Sequence, residues 1–223
     1  MAFSGFPRSA LDFYRGLEAD NSKTYWQANK AVYDASVKEP MAAFAAEVDE
    51  TFRPMHIFRP NRDVRFSKDK SPYKTHTGAV AETDGGAMVY VQLSASGLMA
   101  AAGYYMMRPD QLARYREAID SDAALELEAI AAALARQKLP IASGGEGDLK
   151  TAPKGYPRDH PRIDWLRRKG LIIVKEFGAP SWMTTRAALT KIQDLWRAAE
   201  PLNGWLDTHV GPSLEAPEDV WSR

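Results

Sequence analysis

Cysteine is missing from all 223 positions of this chain. That one absence excludes a disulfide scaffold, a thiolate zinc site, an iron–sulfur cluster and a cysteine nucleophile, and it fits a reducing compartment. Net charge is missing as well, since 29 Lys/Arg balance 29 Asp/Glu. There is no long apolar run. The longest, Leu98 to Met107, is too short and too glycine-broken to cross a bilayer, and residues 1–8 lack the apolar core of a secretion signal. A cytoplasmic protein with no membrane partner is expected. The four histidines, His56, His76, His160 and His209, show no metal-ligand spacing, so no metal is expected. Gly144-Gly145-Glu146-Gly147 lacks the Lys-Ser/Thr of a phosphate loop, and no serine has the motif context of a nucleophile. Pro109-Asp110 and Asp148-Leu149-Lys150 have the residue types of metal-dependent nucleases, but fragments so short and so far apart arise easily by chance. No cofactor is indicated.

Hydrophobic residues make up 45% of the chain and charged residues 26%, enough for a sizeable core without staples. No internal repeat interrupts it, so a single domain over 1–223 is expected, with an irregular tail over 211–223. The first fifty residues have helical periodicity. Phe6, Ala10, Phe13, Tyr14 and Leu17 recur behind Pro7. Asn21 reads as the N-cap of a second helix carrying Trp26, Ala28, Val32 and Tyr33. Glu39-Pro40 predicts a break before a third helix with Met41, Phe44, Ala45, Val48 and Phe52 on one face.

The period then changes to two. Val64 and Phe66 alternate with Asp63, Arg65 and Ser67, predicting a strand over 62–67. A second strand is predicted over 73–81 and a turn at Asp84-Gly85-Gly86. Residues 88–93 and 98–102 form a predicted hairpin around Ser94-Ala95-Ser96-Gly97. Short connections require antiparallel pairing. Helical periodicity returns with Leu112, Tyr115 and Ile119, then Leu125, Leu127, Ile130 and Leu134. A loop with a short strand is expected over 141–156, a short helix over 160–169, a buried strand over 171–174, and a long helix from Thr184 interrupted at Pro201. The expected fold class is α+β, an antiparallel sheet from the middle of the chain with N- and C-terminal helices packed on it.

Charge is unevenly placed. Residues 53–76 carry seven Lys/Arg against Asp63 and Asp69, and residues 150–176 carry eight against Asp159, Asp164 and Glu176. Such segments create a local positive field on a neutral protein, and the two are expected to meet in space if they form one site. Between Arg59 and Lys74 the cations are densest. Arginine can hold a phosphate or carboxylate through two hydrogen bonds, while lysine supplies a mobile point charge. The candidate ligand-binding residues are Arg62, Arg65, Ser67, Lys68, Lys70, Tyr73 and Lys74, with Lys154 from the second segment. His76 and His160 are the weak candidates for acid–base chemistry near neutral pH.

The run Arg62-Asp63-Val64-Arg65-Phe66-Ser67-Lys68-Asp69-Lys70 with Pro72-Tyr73-Lys74 resembles the principal signature of the family called domain of unknown function 2461. Gly103-Tyr104 with Pro109 is similar to it, as are Leu149-Lys150, Pro153-Lys154-Gly155-Tyr156 and Asp159-His160-Pro161. Asn21, Trp26 and Tyr33 fit too, although Ser22 stands where a second Asn would be expected. The resemblance covers most of the chain and implies one domain. It implies no activity, substrate or catalytic residue.

Three kinds of function remain open. The basic segment binds a phosphate- or carboxylate-bearing small molecule, with or without catalysis; or the cations form internal ion pairs in a structural or interaction protein; or both basic segments and exposed aromatics such as Tyr73 and Tyr156 serve nucleic acid. The third is disfavoured by the neutral chain and the lack of a known binding motif.

Overall fold

Behind Pro7, helix α1 (Arg8–Ala19) buries Ala10, Leu11, Phe13, Tyr14 and Leu17 on one side, the stripe its periodicity predicts. The structure is a computed structural model describing residues 2–48, 54–65, 68–83, 85–145 and 147–215. Helix α2 (Lys23–Tyr33) is capped by Ser22, whose hydroxyl accepts from Tyr25 N–H at 3.1 Å; Asn21 is not the cap. On α2 only Tyr33 is buried, with Trp26 half-buried and Ala28 and Val32 exposed.

The expected break at Glu39-Pro40 does not occur. A π turn over Asp34–Lys38 carries the chain directly into α3 (Glu39–Glu47). Proline lacks an N–H and its ring collides with the carbonyl four residues back in an α-helix. Here Glu39 N–H reaches Asp34 O, five residues back, and this wider turn lets the helix pass through Pro40. Met41 and Phe44 of the third helix's expected face are buried; Phe52 lies outside the described residues.

Among the described residues the sheet has six strands, β1 (His56–Ile57), β2 (His76–Glu82), β3 (Met88–Ser94), β4 (Gly97–Tyr104), β5 (Ile141–Ala142) and β6 (Leu171–Gly178). Their order is β1-β2-β3-β4-β6-β5, and every neighbouring pair is antiparallel. The predicted hairpin is β3–β4, with Ser94 opposite Gly97. Gly97 holds a φ of +111°, and a Cβ there would lie 2.0 Å from the Gly178 carbonyl oxygen, so only glycine fits at this corner.

The strand expected over 62–67 is absent from its described part: residues 62–65 belong to no strand and follow only a narrow ladder of one bridge, Asn61 with Tyr73; Phe66, Ser67 and, in the later turn, Asp84 lie outside the described residues. Side chains outcompete the ladder there. Asp63 accepts from Arg65 N–H at 3.1 Å and Asp69 from Ser71 N–H at 2.9 Å, bending the backbone twice. The strand before β2 is instead β1.

The remaining helices are α4 (Pro109–Ile119), α5 (Ala123–Arg136), α6 (Ile163–Leu166), α7 (Ala187–Ala198) and α8 (Glu200–His209), with a 3-10 turn over Ser181–Thr184. The short helix expected over 160–169 is thus reduced to one turn. The interruption at Pro201 occurs as the α7–α8 junction, with Pro201 in the first turn of α8, where its missing N–H costs nothing. The tail is irregular as far as Glu215.

Helix α1 packs on β3, and α7 and α8 pack on β4. Small residues make that approach close: Ala100 and Ala102 of β4 are buried, while Trp196 and Trp205 supply volume from the helices. The resulting core is one contiguous cluster from Phe3 to Val210. No helix among the described residues is long and apolar enough to cross a membrane.

Candidate functional site

The basic segment is pinned to the protein through Tyr73. Arg62 N–H donates to Pro72 O at 2.9 Å, Lys74 N–H to Pro60 O at 2.8 Å, and Asn61 and Tyr73 form an antiparallel bridge between them. Asn21 then clamps the Tyr73 backbone from both sides: its Nδ2 donates to Tyr73 O at 3.0 Å and its Oδ1 accepts from Tyr73 N–H at 3.1 Å. The Tyr73 ring is buried and stacks on Trp26, with centroids 4.2 Å apart and planes 9° from parallel. Trp26 rests in turn on Tyr33 at 4.6 Å and on Phe13 at 5.8 Å. Residues from the two ends of a fifty-residue stretch therefore hold one short extended piece in place.

That anchoring decides where the cations go. Lys74 follows the buried Tyr73, a bend at Thr75 leads on to His76 at the start of β2, and Lys74 and Arg62 both lie near enough to His76 to act on its charge. Arg62 lies across the narrow ladder, opposite Pro72. Burial, then Arg59 and Arg62, pulls the Lys74 ammonium below its usual pKa; burial, then Lys74 and Arg62, pulls His76 below its usual value. Lys74 Nζ also sits 5.2 Å from the Phe58 ring centroid.

The other candidates are differently engaged. The Arg65 guanidinium folds back on Asp63 in two-pronged fashion, with Nε 3.0 Å from Oδ1 and Nη2 2.6 Å from Oδ2, and stays largely in solvent. Arg62 bonds Asp69, whose other oxygen accepts from the Ser71 hydroxyl at 2.6 Å. Hydrogen bonds from Arg65 hold the Asp63 carboxyl at a pKa of about 2, and hydrogen bonds from Ser71 and Arg62 do the same for Asp69. Both carboxylates therefore remain ionised through the physiological range. Lys70 Nζ donates to the Val64 carbonyl at 2.9 Å, and Lys68 is exposed. Ser67 lies outside the described residues.

Lys154 is not brought to this cluster. The first basic segment joins β1 to the start of β2, at the end of the sheet where Ser94 and Gly97 turn. The second leads into the start of β6, where Leu171 pairs with Tyr104, at the opposite end and beyond β3 and β4. Against the expected meeting, the antiparallel β4–β6 pairing brings the two segments into the sheet at opposite strand ends. His160 is far from the cluster for the same reason, and both its ring nitrogens are occupied: Nε2 faces Asp120 Oδ1 at 2.9 Å and Nδ1 accepts from Arg162 N–H at 3.0 Å. Asp110 accepts from Ser213 and from Leu214 N–H at 2.8 and 2.9 Å, tying down the tail, and the described residues contain no group of acids and histidines suited to a metal. An open groove of about 700 Å³ between residues 2–8 and α3, lined by Ala42, Ala43 and Ala46, holds none of the predicted site residues.

Several participants escape the sequence reading. Asn21 looks like a cap and acts as a clamp, a role visible only once Tyr73 is beside it. Tyr90 and Gln92 occupy the outward positions of β3, and the alternation of Val89, Val91 and Leu93 is the signal that would have found them.

The pH response of His76 follows from its position. A histidine whose folded pKa is depressed resists protonation in the native state, so native stability is full above the ordinary value of 6.5 and is lost as pH falls below it. Melting curves at pH 7.5 and 5.5 are expected to show a smaller acid-induced drop for His76→Gln than for the parent. An equal drop in both would place the acid sensitivity elsewhere.

No curated protein and no solved structure matches the chain. The profile of one family, described as conserved hypothetical protein (DUF2461), matches residues 9–205, which include Asn21, Trp26, Tyr33, the 59–74 segment and the strands β1–β6. The chain therefore belongs to the DUF2461 family.

Proposed function

We propose that the edge bearing Arg62, Lys74 and His76 binds a small molecule through a phosphate or carboxylate group. One observation carries the reading. Tyr73 anchors the segment that carries Lys74, Arg62 lies across the bridge from it, and the charges acting on both Lys74 and His76 are cations, Arg62 among them. Holding like charges together costs free energy, and a bound anion offsets it. Largely neutral near pH 7, His76 serves as a hydrogen-bond partner or general base rather than as another positive charge. Arg65 and Lys70, turned onto Asp63 and Val64 O, stand outside this contact set, and Lys154 is remote from it.

A second reading has its own support. Arg62 and Arg65 are each paired with an acid of their own loop, as cations of a purely structural segment would be. A nucleic-acid role is less favoured, because the two basic segments lead into β2 and β6 at opposite ends of the sheet rather than side by side.

Thermal melting in low-salt buffer separates these readings. A ligand at a hundredfold excess over Kd stabilises the folded chain by about 2.7 kcal/mol, which is roughly 5–10 °C for a domain of this size. Phosphate, citrate or a sugar phosphate is expected to raise the melting temperature where matched chloride does not. Lys74→Gln is expected to melt no lower than the parent without ligand, because a repelled cation is removed, yet to respond much less to the anion. No response to any anion in the parent would leave the ion-pair reading standing.

A further inference from the structure

Strand β3 alternates along its whole length. Val89, Val91 and Leu93 are buried in the core, whereas Met88, Tyr90, Gln92 and Ser94 stand half-exposed on the opposite face of the sheet. Val80, Ala101 and Ile172 are buried on that second face without joining the main core. At its β2 edge an aromatic group borders the cation cluster. Phe58 N–H donates to Gly78 O at 2.9 Å, which sets the Phe58 ring beside a residue with no side chain. The Tyr90 ring leans into the same space: a Cβ on Gly78 would lie 2.5 Å from the Tyr90 hydroxyl oxygen. That hydroxyl donates to Gln92 Oε1 at 3.0 Å, fixing the ring's direction. Phe58 and Tyr90 have centroids 6.3 Å apart, and the His56 ring lies 5.5 Å from Phe58. Lys74 Nζ, 5.2 Å from the Phe58 centroid, joins this group to the cations.

We infer that the ligand of this edge carries a planar ring as well as an anionic group, with the ring on Phe58 and Tyr90 and the anion at Arg62, Lys74 and His76. Nucleoside phosphates are the class that fits. The inference rests on the anion-binding reading and extends it. His76 and Gly78 point to the same face two residues apart, so the anion and ring positions are separated by about 7 Å along the strand, the reach of one sugar-sized spacer. Aromatic side chains accept any base through its π face, and a lysine bordering a ring can serve the phosphate and the ring together. Gln92, whose carbonyl oxygen is taken by Tyr90, keeps its amide hydrogens for the edge of a bound ring.

Calorimetric titration of the full chain with AMP, ribose 5-phosphate and adenosine tests this. Stacking on an aromatic side chain strengthens binding roughly fivefold to hundredfold, so AMP is expected to bind at least about fivefold more tightly than ribose 5-phosphate, and adenosine is expected to bind weakest. Tyr90→Ala and Phe58→Leu are each expected to reduce AMP towards the ribose 5-phosphate level without weakening ribose 5-phosphate itself. Tyr90→Phe, which keeps the ring, is expected to retain the advantage of AMP. Circular dichroism checks folding, and Phe58→Leu decides the matter if Tyr90→Ala does not fold. Equal affinity for AMP and ribose 5-phosphate overturns the inference while sparing the anion reading. An AMP advantage that survives both ring substitutions, or adenosine binding as tightly as AMP, also overturns it. Failure of both phosphates to bind overturns the inference, and with it the phosphate form of the anion reading, while citrate in the melting test decides the carboxylate form.

Discussion

Tyr73→Ala is expected to destabilise the chain by about 3–5 kcal/mol and to abolish its thermal response to anions, whereas Tyr73→Phe is expected to change neither appreciably. The ring is buried and stacked on Trp26 at 4.2 Å, so truncation removes that stacked contact and leaves a cavity against α2. The consequence reaches function because Tyr73 anchors the backbone next to Lys74. Without the stack, the Asn21 clamp and the narrow ladder to residues 60–62 remain, and Lys74 loses the buried neighbour that fixes its backbone. Phenylalanine fills the same volume and stacks equally well. Chemical denaturation measures the first effect, and melting with and without phosphate measures the second. An alanine variant that keeps its full anion response would show that the cations need no anchor, and would remove the physical basis of the site.

Trp196→Ala carries the other large expected effect, again a loss of about 3–5 kcal/mol, from a domain whose total stability is of order 5–15 kcal/mol. Trp196 is fully buried, meets Phe44 edge-on at 6.1 Å and donates its indole N–H to Tyr90 O at 3.3 Å. It therefore joins α7, α3 and β3. Alanine leaves a large void and removes the indole's bond to the Tyr90 carbonyl, and the surrounding helices can close the void only in part. In urea the midpoint is expected to fall sharply with an unchanged slope, the signature of lost stability without a changed extent of unfolding. A loss below about 1 kcal/mol would mean that the site collapses freely, contrary to close packing in a core.

The parts of this fold that were legible in the sequence are those in which one face is covered and the other is not. Val89, Val91 and Leu93 alternate with Tyr90 and Gln92 because the helices bury one side of β3, and α1, α4 and α7 show their buried stripes for the same reason; α5 does so only in part, since Leu127 and Leu134 are buried while the expected Leu125 is exposed. The segment at 62–67 has the same alternation in its residues and forms no strand over its described part, because Asp63 and Asp69 bond to nearby backbone N–H groups and replace the ladder. Pro40 has the strongest helix-breaking chemistry of any residue, yet the π turn before it absorbs the misfit. Both outcomes depend on local competition that residue periodicity does not record.

By itself the sequence determined the α+β class, the β3–β4 hairpin, the α7–α8 junction at Pro201 and the concentration of cations between Arg59 and Lys74. These follow from side-chain period, turn residues and charge counting, all properties of neighbours along the chain. Tertiary structure alone decided that Asn21 and Trp26 hold Tyr73, that Arg62 and Arg65 turn to Asp69 and Asp63, and that Lys74 and His76 share a border with Phe58 and Tyr90. It also decided that β6 pairs with β4, so that the segment with Lys154 and His160 leads into the opposite end of the sheet. The physical reason is the same throughout: strand order and long-range contacts are settled by which distant apolar faces can be buried together, and no local pattern specifies that choice.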